Sequence, residues 1–221
     1  MPLKKAIFII ICVLLIDQIS KIYIKTHFEL DETVPVFSWF KIVFVENEGM
    51  AWGTKLSDVF SFISDKSAKL ILTLFRIVAV TAIGFWLVDV IKKEKTKLLI
   101  FAIALIFSGA LGNIIDSVFY GVIFNDSVME VATFLPEDGG YANVFHGNVV
   151  DMLHFPLWSG VLPDWIPFLG GKYISFFDPV FNVADMAIST GIGILIVFNK
   201  RAFKDTIKTD TIFQESHNNP V

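Results

Sequence analysis

The stretch Phe181-Asn-Val-Ala-Asp-Met-Ala-Ile-Ser189 decides the fold, because it places Asn182 and Asp185 in a segment that otherwise predicts a membrane-spanning helix. The apolar run from 178 to 198 has about the 20 residues that a bilayer-spanning helix needs, and basic residues follow it. An ionisable group within the hydrocarbon costs roughly 2.5 to 3.5 kcal/mol, so it normally faces a bundle interior and has a partner. Asp185 is therefore a candidate site residue, and Asn182 is expected on the same helical face.

The composition predicts an integral membrane protein. The chain has 221 residues, of which 54% are hydrophobic and 23 are Phe, whereas soluble domains contain about 45 to 50% apolar residues. The net charge of -4 gives no reason to expect a nucleic-acid partner. The single cysteine, Cys12, excludes an intramolecular disulfide.

Hydropathy predicts four membrane-spanning helices in one domain, residues 1–204, followed by a polar tail, residues 205–221. The first apolar run resembles a signal peptide, but no small-x-small cleavage site follows it, so it is expected to be retained. The predicted spans cover residues of about 6–26, 68–91, 97–119 and 178–198.

The distribution of Lys and Arg predicts the orientation. Basic residues cluster before the first span, between the second and third spans, and after the fourth. By the positive-inside rule these segments, and both termini, are cytoplasmic. Residues 27–67, predicted to form a small β element on the membrane surface, and the long loop 120–177 are then extracytoplasmic. In that loop a short strand or amphipathic helix is expected near 149–155.

Polar residues from separate spans converge at one depth. At about 1.5 Å per helical residue, Asp17, Asn113 and Asp185 all fall in the outer third of the membrane. Asp17 and Lys21 are spaced for an ion pair within the first helix, which we interpret as structural. Gly109-Ala-Leu-Gly112 in the third span predicts close approach of a neighbouring helix.

Asp151, within Val149-Val-Asp-Met-Leu-His154, is the candidate second carboxylate. Two close carboxylates in a medium of low dielectric constant share one proton, so one can activate water while the other donates to a carbonyl. Sequence spacing alone does not show that Asp151 meets Asp185. Two alternatives stay open: a metal site formed by His146, Asp151 and His154, although the spacing matches no zinc pattern, and a proton relay in a transporter.

Five motifs in order resemble those of the bacterial lipoprotein signal peptidase family, signal peptidase II. They are Asp17-x-x-x-Lys21, Asn47-x-Gly-x-Ala-x-Gly53, Gly109-Ala-Leu-Gly-Asn-Ile-Ile-Asp116, Val149-Val-Asp151 and Phe181-Asn-x-Ala-Asp185.

This resemblance implies that Asp151 and Asp185 are the catalytic pair of an aspartic endopeptidase. The implied substrate is a diacylglyceryl-modified prolipoprotein, cleaved just before its lipobox cysteine, and the implied location is the bacterial inner membrane, with the site near the extracytoplasmic face. Membrane lipid is the expected surrounding; no metal or cofactor is expected, and a monomer is expected. Substrate-binding positions correspond to Asn47, Gly49, Asn113 and Asn182, and structural polar positions to Asp17, Lys21 and Asp116.

The sequence departs from the family in two places. Ser117 stands where the family usually has Arg, and the segment 122–148 is longer than the usual connection. We hypothesise that this segment is a lid or clamp replacing the Arg, with Phe134, Tyr141 and Phe145 covering the pair and His146 or Asn148 donating to substrate. The alternative is a passive surface insertion.

Overall fold

The computed structural model describes residues 1–47, 64–156, 158–176 and 179–204. Its helices are α1 (Leu3–His27), α2 (Asp65–Lys92), α3 (Lys97–Ile115), α4 (Val183–Val197) and the short α5 (Asn199–Ala202). Gly49 and the polar tail 205–221, both named in the sequence analysis, lie outside the described residues.

Three of the described helical segments are long and apolar enough to cross a membrane: Leu3–His27, Asp65–Lys92 and Lys97–Ile123. The third includes a π-helical turn, Asp116–Tyr120, and a last helical turn, Gly121–Ile123. These segments confirm that the chain is a mainly helical protein with several candidate spans. The fourth predicted span corresponds to α4, which is apolar but shorter.

The glycines of α3 allow α1 and α4 to pack directly against its backbone. A Cβ atom at Gly109 would lie 2.2 Å from the carbonyl oxygen of Ala184, and one at Gly112 would lie 2.5 Å from Oδ2 of Asp17. No larger side chain fits at those distances. The close approach predicted for Gly109 to Gly112 is therefore confirmed.

The described strands form two antiparallel sheets. They are β1 (Thr33–Phe37), β2 (Phe40–Asn47), β3 (Val149–His154), β4 (Trp158–Val161), β5 (Tyr173–Phe176) and β6 (Val180–Phe181). Four of them form a sheet in the order β1-β2-β3-β6, and β4 pairs with β5. The strand expected near 149–155 is present, as is a β element within 27–67.

The central strand β3 has two different faces, because successive side chains in a strand point to opposite sides. Val150 and Met152 enter a buried cluster with Phe44 of β2 and Phe124. We call this side of the sheet the back face. Asp151 points to the other side, the front face.

The start of α4 differs from the prediction. The sequence suggests a helix from about 178, but Val180 and Phe181 pair with β3, and the helix begins at Val183. Asn182 is therefore the N-cap of α4 and not a residue on a helical face shared with Asp185. The physical reason is that Asn182 accepts a hydrogen bond from a backbone N–H that a helix start leaves unpaired.

Candidate active site

Asp185 lies in the first turn of α4, fixed by a reciprocal capping box. Oδ1 of Asn182 accepts from the backbone N–H of Asp185 at 2.9 Å, and Oδ2 of Asp185 accepts from the N–H of Asn182 at 3.3 Å. The helix dipole also favours a carboxylate at this position. The junction between β6 and α4 therefore sets both the position and the orientation of this carboxyl group.

Asp151 lies beside this junction and is linked to it through Asn182. Nδ2 of Asn182 donates to Oδ1 of Asp151 at 2.7 Å, and Nδ2 of Asn47 donates to Oδ2 at 3.2 Å. The Asp151 residue is only 3% exposed, and Asn182 is fully buried. One asparagine side chain thus connects the two aspartates that the sequence analysis singled out.

Asn113, from α3, completes the hydrogen bonding of the pair. Its Nδ2 donates to Oδ1 of Asp185 at 2.9 Å, and its Oδ1 accepts from Asn182 at 3.1 Å and from Nζ of Lys21 at 2.8 Å. Since an ammonium group only donates, Lys21 fixes which end of the Asn113 amide faces Asp185. The predicted polar positions Asn47, Asn113 and Asn182 all contact one or both aspartates.

A buried charge cluster lies next to this site. Nζ of Lys21 is 2.9 Å from Oδ2 of Asp17 and 2.8 Å from Oδ2 of Asp116. Gln18, which the sequence analysis did not single out, donates to Asp17 at 3.0 Å and to Asp116 at 2.9 Å. The predicted Asp17–Lys21 ion pair is confirmed, and Asp116 joins it.

Asp17 also anchors the helix that carries Asp185. Its Oδ1 accepts from the backbone N–H of Ala184, in the first turn of α4, at 2.9 Å. Because both carboxylates of the cluster are paired with the fully buried Lys21, the arrangement fits a structural role better than a proton relay.

The environment of Asp151 favours its protonated form. Burial, followed by the nearby negative charge of Asp185, raises the pKa of Asp151 to about 7. Hydrogen bonds from Asn47 and Asn182 and the charge of Lys21 act in the opposite direction without cancelling the rise. Asp151 therefore tends to hold a proton near neutral pH.

Arg76 of α2 faces the site. Its half-buried guanidinium interacts electrostatically with Asp185 and Asp151. One turn earlier, Oγ1 of Thr73 donates to the carbonyl oxygen of Phe145 at 3.1 Å, which turns this face of α2 toward the protein interior.

Within the described residues, the side chains of Ser117 and His146 hydrogen-bond with backbone carbonyl oxygens and not with the two aspartates. The buried Ser117 donates to the carbonyl oxygen of Asn113 at 2.9 Å. Nδ1 of His146 is 3.0 Å from the carbonyl oxygen of Val144. Across the described chain, no three His, Cys, Asp or Glu side chains lie close enough together to hold a metal ion.

The 122–148 segment does not have the form expected of a lid. Tyr141 packs into the cluster on the back face of the sheet, opposite Asp151. Phe145 packs against Val80, Ile114 and Val118, and the Phe134 ring contacts Phe124, with centroids 5.5 Å apart. The expectation that the tyrosine covers the pair from above is therefore wrong, because its ring packs in the back-face cluster and its hydroxyl accepts from the N–H of Asn148.

Apolar helices enclosing two aspartates joined by one asparagine define the class of the molecule: a membrane protein with a candidate aspartic peptidase site. The profile of the family Signal peptidase (SPase) II matches residues 9–200, and the chain belongs to this family.

Similar proteins agree with this assignment. The lipoprotein signal peptidase of Porphyromonas gingivalis is 46% identical over 190 residues, 86% of this chain and 80% of that protein. The lipoprotein signal peptidase of Amoebophilus asiaticus is 38% identical over 85% of this chain and 73% of its own length. A solved bacterial membrane enzyme, 24% identical, shares the fold with a TM-score of 0.56 over 92% of this chain and 96% of that chain.

Proposed function

We propose that Asp151 and Asp185 are the catalytic pair with which this signal peptidase II family member, a protease, removes signal peptides from prolipoproteins. The observation that supports this assignment is the Asn182 side chain, whose Nδ2 donates to Asp151 while its Oδ1 accepts from the backbone of Asp185. The two carboxyl groups share this buried asparagine, and each has a second asparagine donor of its own.

The proposed reaction is direct hydrolysis by water. Asp185, ionised, takes a proton from water, and the water oxygen attacks the carbon of the scissile carbonyl. Asp151, protonated, donates a hydrogen bond and then its proton to the carbonyl oxygen. The tetrahedral intermediate collapses as its hydroxyl returns a proton to Asp151, the leaving nitrogen takes the proton from Asp185, and the C–N bond breaks. No covalent intermediate with the enzyme forms.

Arg76 is the candidate for orienting the substrate. A guanidinium has five N–H donors and can contact peptide carbonyls while its charge holds an ionised carboxylate nearby. Its interaction with both aspartates supports this role. In this proposal Arg76 supplies the positive charge that the family usually has at the position of Ser117.

The proposed substrate carries diacylglyceryl on its lipobox cysteine and is cleaved just before that residue. Such a substrate must approach from the lipid, and the helices next to the site expose large apolar side chains suited to a lipid environment. Exposed examples on α1 and α2 are Phe8, Ile16, Phe75 and Phe85.

We also propose that α4 is the fourth span and that the site opens near the extracytoplasmic face. The 15 residues of α4 extend roughly 22 Å, short of a hydrocarbon core of about 30 Å. Strand β6, which pairs with β3, accounts for the remaining depth, since non-helical backbone is tolerated in a membrane where protein covers it. Basic clusters at the opposite ends of the helices support cytoplasmic termini in the bacterial inner membrane. A monomer suffices, because all the proposed catalytic groups come from one chain.

The test is cleavage by the purified protein in detergent of a fluorogenic lipobox peptide with and without diacylglyceryl on its cysteine. We expect cleavage of the modified peptide only, with mass spectrometry giving a product that begins at the modified cysteine. Equal cleavage of both peptides, or cleavage at another bond, would contradict the proposed specificity.

A further inference from the structure

We propose that the 122–148 segment is a positioning element for the catalytic strand, and that Ser127 and Tyr141 are its positioning residues. They act from the back face of the sheet through Glu46, which precedes the Asp151 donor Asn47, and through Asn148, which precedes β3. The inference rests on the proposed catalytic role of Asp151.

Glu46 of β2 is the centre of this back-face network. Its carboxylate accepts from Oγ of Ser127 at 2.8 Å, from Nδ2 of Asn148 at 2.6 Å, and from Nζ of Lys25. The Glu46 side chain is only 11% exposed. The end of α1 and both ends of the 122–148 segment, at Ser127 and Asn148, therefore meet on one carboxylate of β2.

Lys25 makes this network costly to disturb. The residue is fully buried, and its Nζ donates to Oγ of Ser127 at 2.7 Å. The same ammonium lies 4.9 Å from the centroid of the Tyr141 ring and 5.4 Å from that of Phe124. A buried charge is stable only when it is paired and hydrogen-bonded, so the position of Ser127 is tightly coupled to that of Glu46.

Tyr141 holds the entrance to β3 directly. Its hydroxyl oxygen accepts from the backbone N–H of Asn148 at 2.6 Å, one residue before the strand starts. Since an amide at a strand start must find an acceptor, this bond fixes where pairing with β2 begins.

The strand register carries this positioning to the active site. Glu46 is opposite Val150, and Asn47 is opposite Val149. Asn47, which follows Glu46 in the chain, donates to Asp151 from the front face. A slip of one residue in the register would exchange the two faces, so contacts that fix Glu46 and Asn148 on the back also fix Asn47 relative to Asp151.

Glu46 is not expected to titrate in the assay range. Burial alone would raise the pKa of Glu46, but the charge of Lys25 and hydrogen bonds from Asn148 and Ser127 bring it below the ordinary value. Asp151 is the group whose titration reports on positioning. The other charges that act on it are Asp185 from α4, Lys21 from α1 and Arg76 from α2.

The experiment compares Ser127→Ala and Tyr141→Phe with the exposed control Glu137→Gln in the cleavage assay on the diacylglyceryl peptide. Tyr141→Phe keeps the ring beside Lys25 and removes only the acceptor. For both test variants we expect kcat to fall about five-fold at unchanged KM. The hydrogen bond from Asn47 lowers the pKa of Asp151. Because the variants weaken this bond, the upper pKa of the pH–rate profile should rise by about half a unit. Ser127→Thr, which keeps the hydroxyl, should restore most of kcat.

A lower thermal unfolding temperature with parental kcat and parental pH profile in both variants would overturn the proposal, because the segment would then only stabilise the fold. A change in Glu137→Gln equal to that in the test variants would also overturn it. If the parent protein fails to cleave the modified peptide, it is the proposed function that fails, which keeps the two ideas separable.

Discussion

Asn182 is predicted to have two separable roles, one in stability and one in catalysis. Its Oδ1 caps α4, and its Nδ2 donates to Asp151 at 2.7 Å and to Asn113 at 3.1 Å. Asn182→Ala removes both roles. Asn182→Ser keeps an oxygen that can cap the helix, but its side chain is too short to replace the amide donor.

The magnitudes follow from these contacts. Loss of an N-cap costs about 1 kcal/mol, which lowers the unfolding temperature of a chain of this size by about 2 to 4 °C. Loss of a hydrogen bond to a neutral group such as protonated Asp151 costs about 0.5 to 1.5 kcal/mol, equivalent to about a 2- to 13-fold decrease in kcat/KM. We therefore expect both variants to lose activity and only Asn182→Ala to lose the capping contribution to stability.

The assay pairs thermal unfolding in detergent with initial rates on the diacylglyceryl peptide. Parental kcat/KM in Asn182→Ser would refute the reasoning, since it would show that the amide bridge between the aspartates has no catalytic role. Equal unfolding temperatures for the two variants would refute the capping argument alone.

Three further predictions concern the site. The pKa of Asp151 is raised to about 7 in the folded protein from about 3.9 in the unfolded chain, so the folded protein binds more protons between these pH values. The free energy of unfolding therefore falls as pH rises through this range. Asp151→Asn should remove this fall, so the unfolding temperature should rise at pH 8 but not at pH 4. Arg76→Gln should lower kcat/KM at least 10-fold and Arg76→Lys less, because lysine keeps the charge without the guanidinium fork; equal rates in all three proteins would contradict a substrate-orienting role. Turnover should be unchanged by a chelator, whereas loss of activity restored by zinc would show a metal-dependent reaction.

The long helices and their buried ion pair could be predicted from the sequence, because membrane-spanning segments carry strong local sequence signals. Long apolar runs predicted α1, α2 and α3, and the spacing of Asp17 and Lys21 predicted their ion pair. Asp185 was conspicuous for the same reason: a carboxylate in an apolar segment needs a partner.

The contacts that complete the site could not be predicted, because they depend on long-range strand pairing. The pairing of β3 with β6 shortens the last helix and makes Asn182 its cap. Alternation along β3 places Val150 and Met152 on the back face, and Tyr141 packs against their cluster there. No local pattern showed which face of the sheet the 122–148 segment covers. The inward direction of Arg76 likewise follows from helix packing, and Gln18 carried only the weak signal of adjoining Asp17.

The central claim is that Asp151 and Asp185 act together on the peptide bond, and its most direct test is turnover of the diacylglyceryl lipobox peptide by Asp151→Asn and Asp185→Asn. The exposed Asp138→Asn provides a matched control. We expect each active-site variant to keep the unfolding temperature of a folded protein and to show no cleavage above the uncatalysed background, while the control retains parental turnover. Near-parental turnover in either Asp151→Asn or Asp185→Asn would contradict the claim.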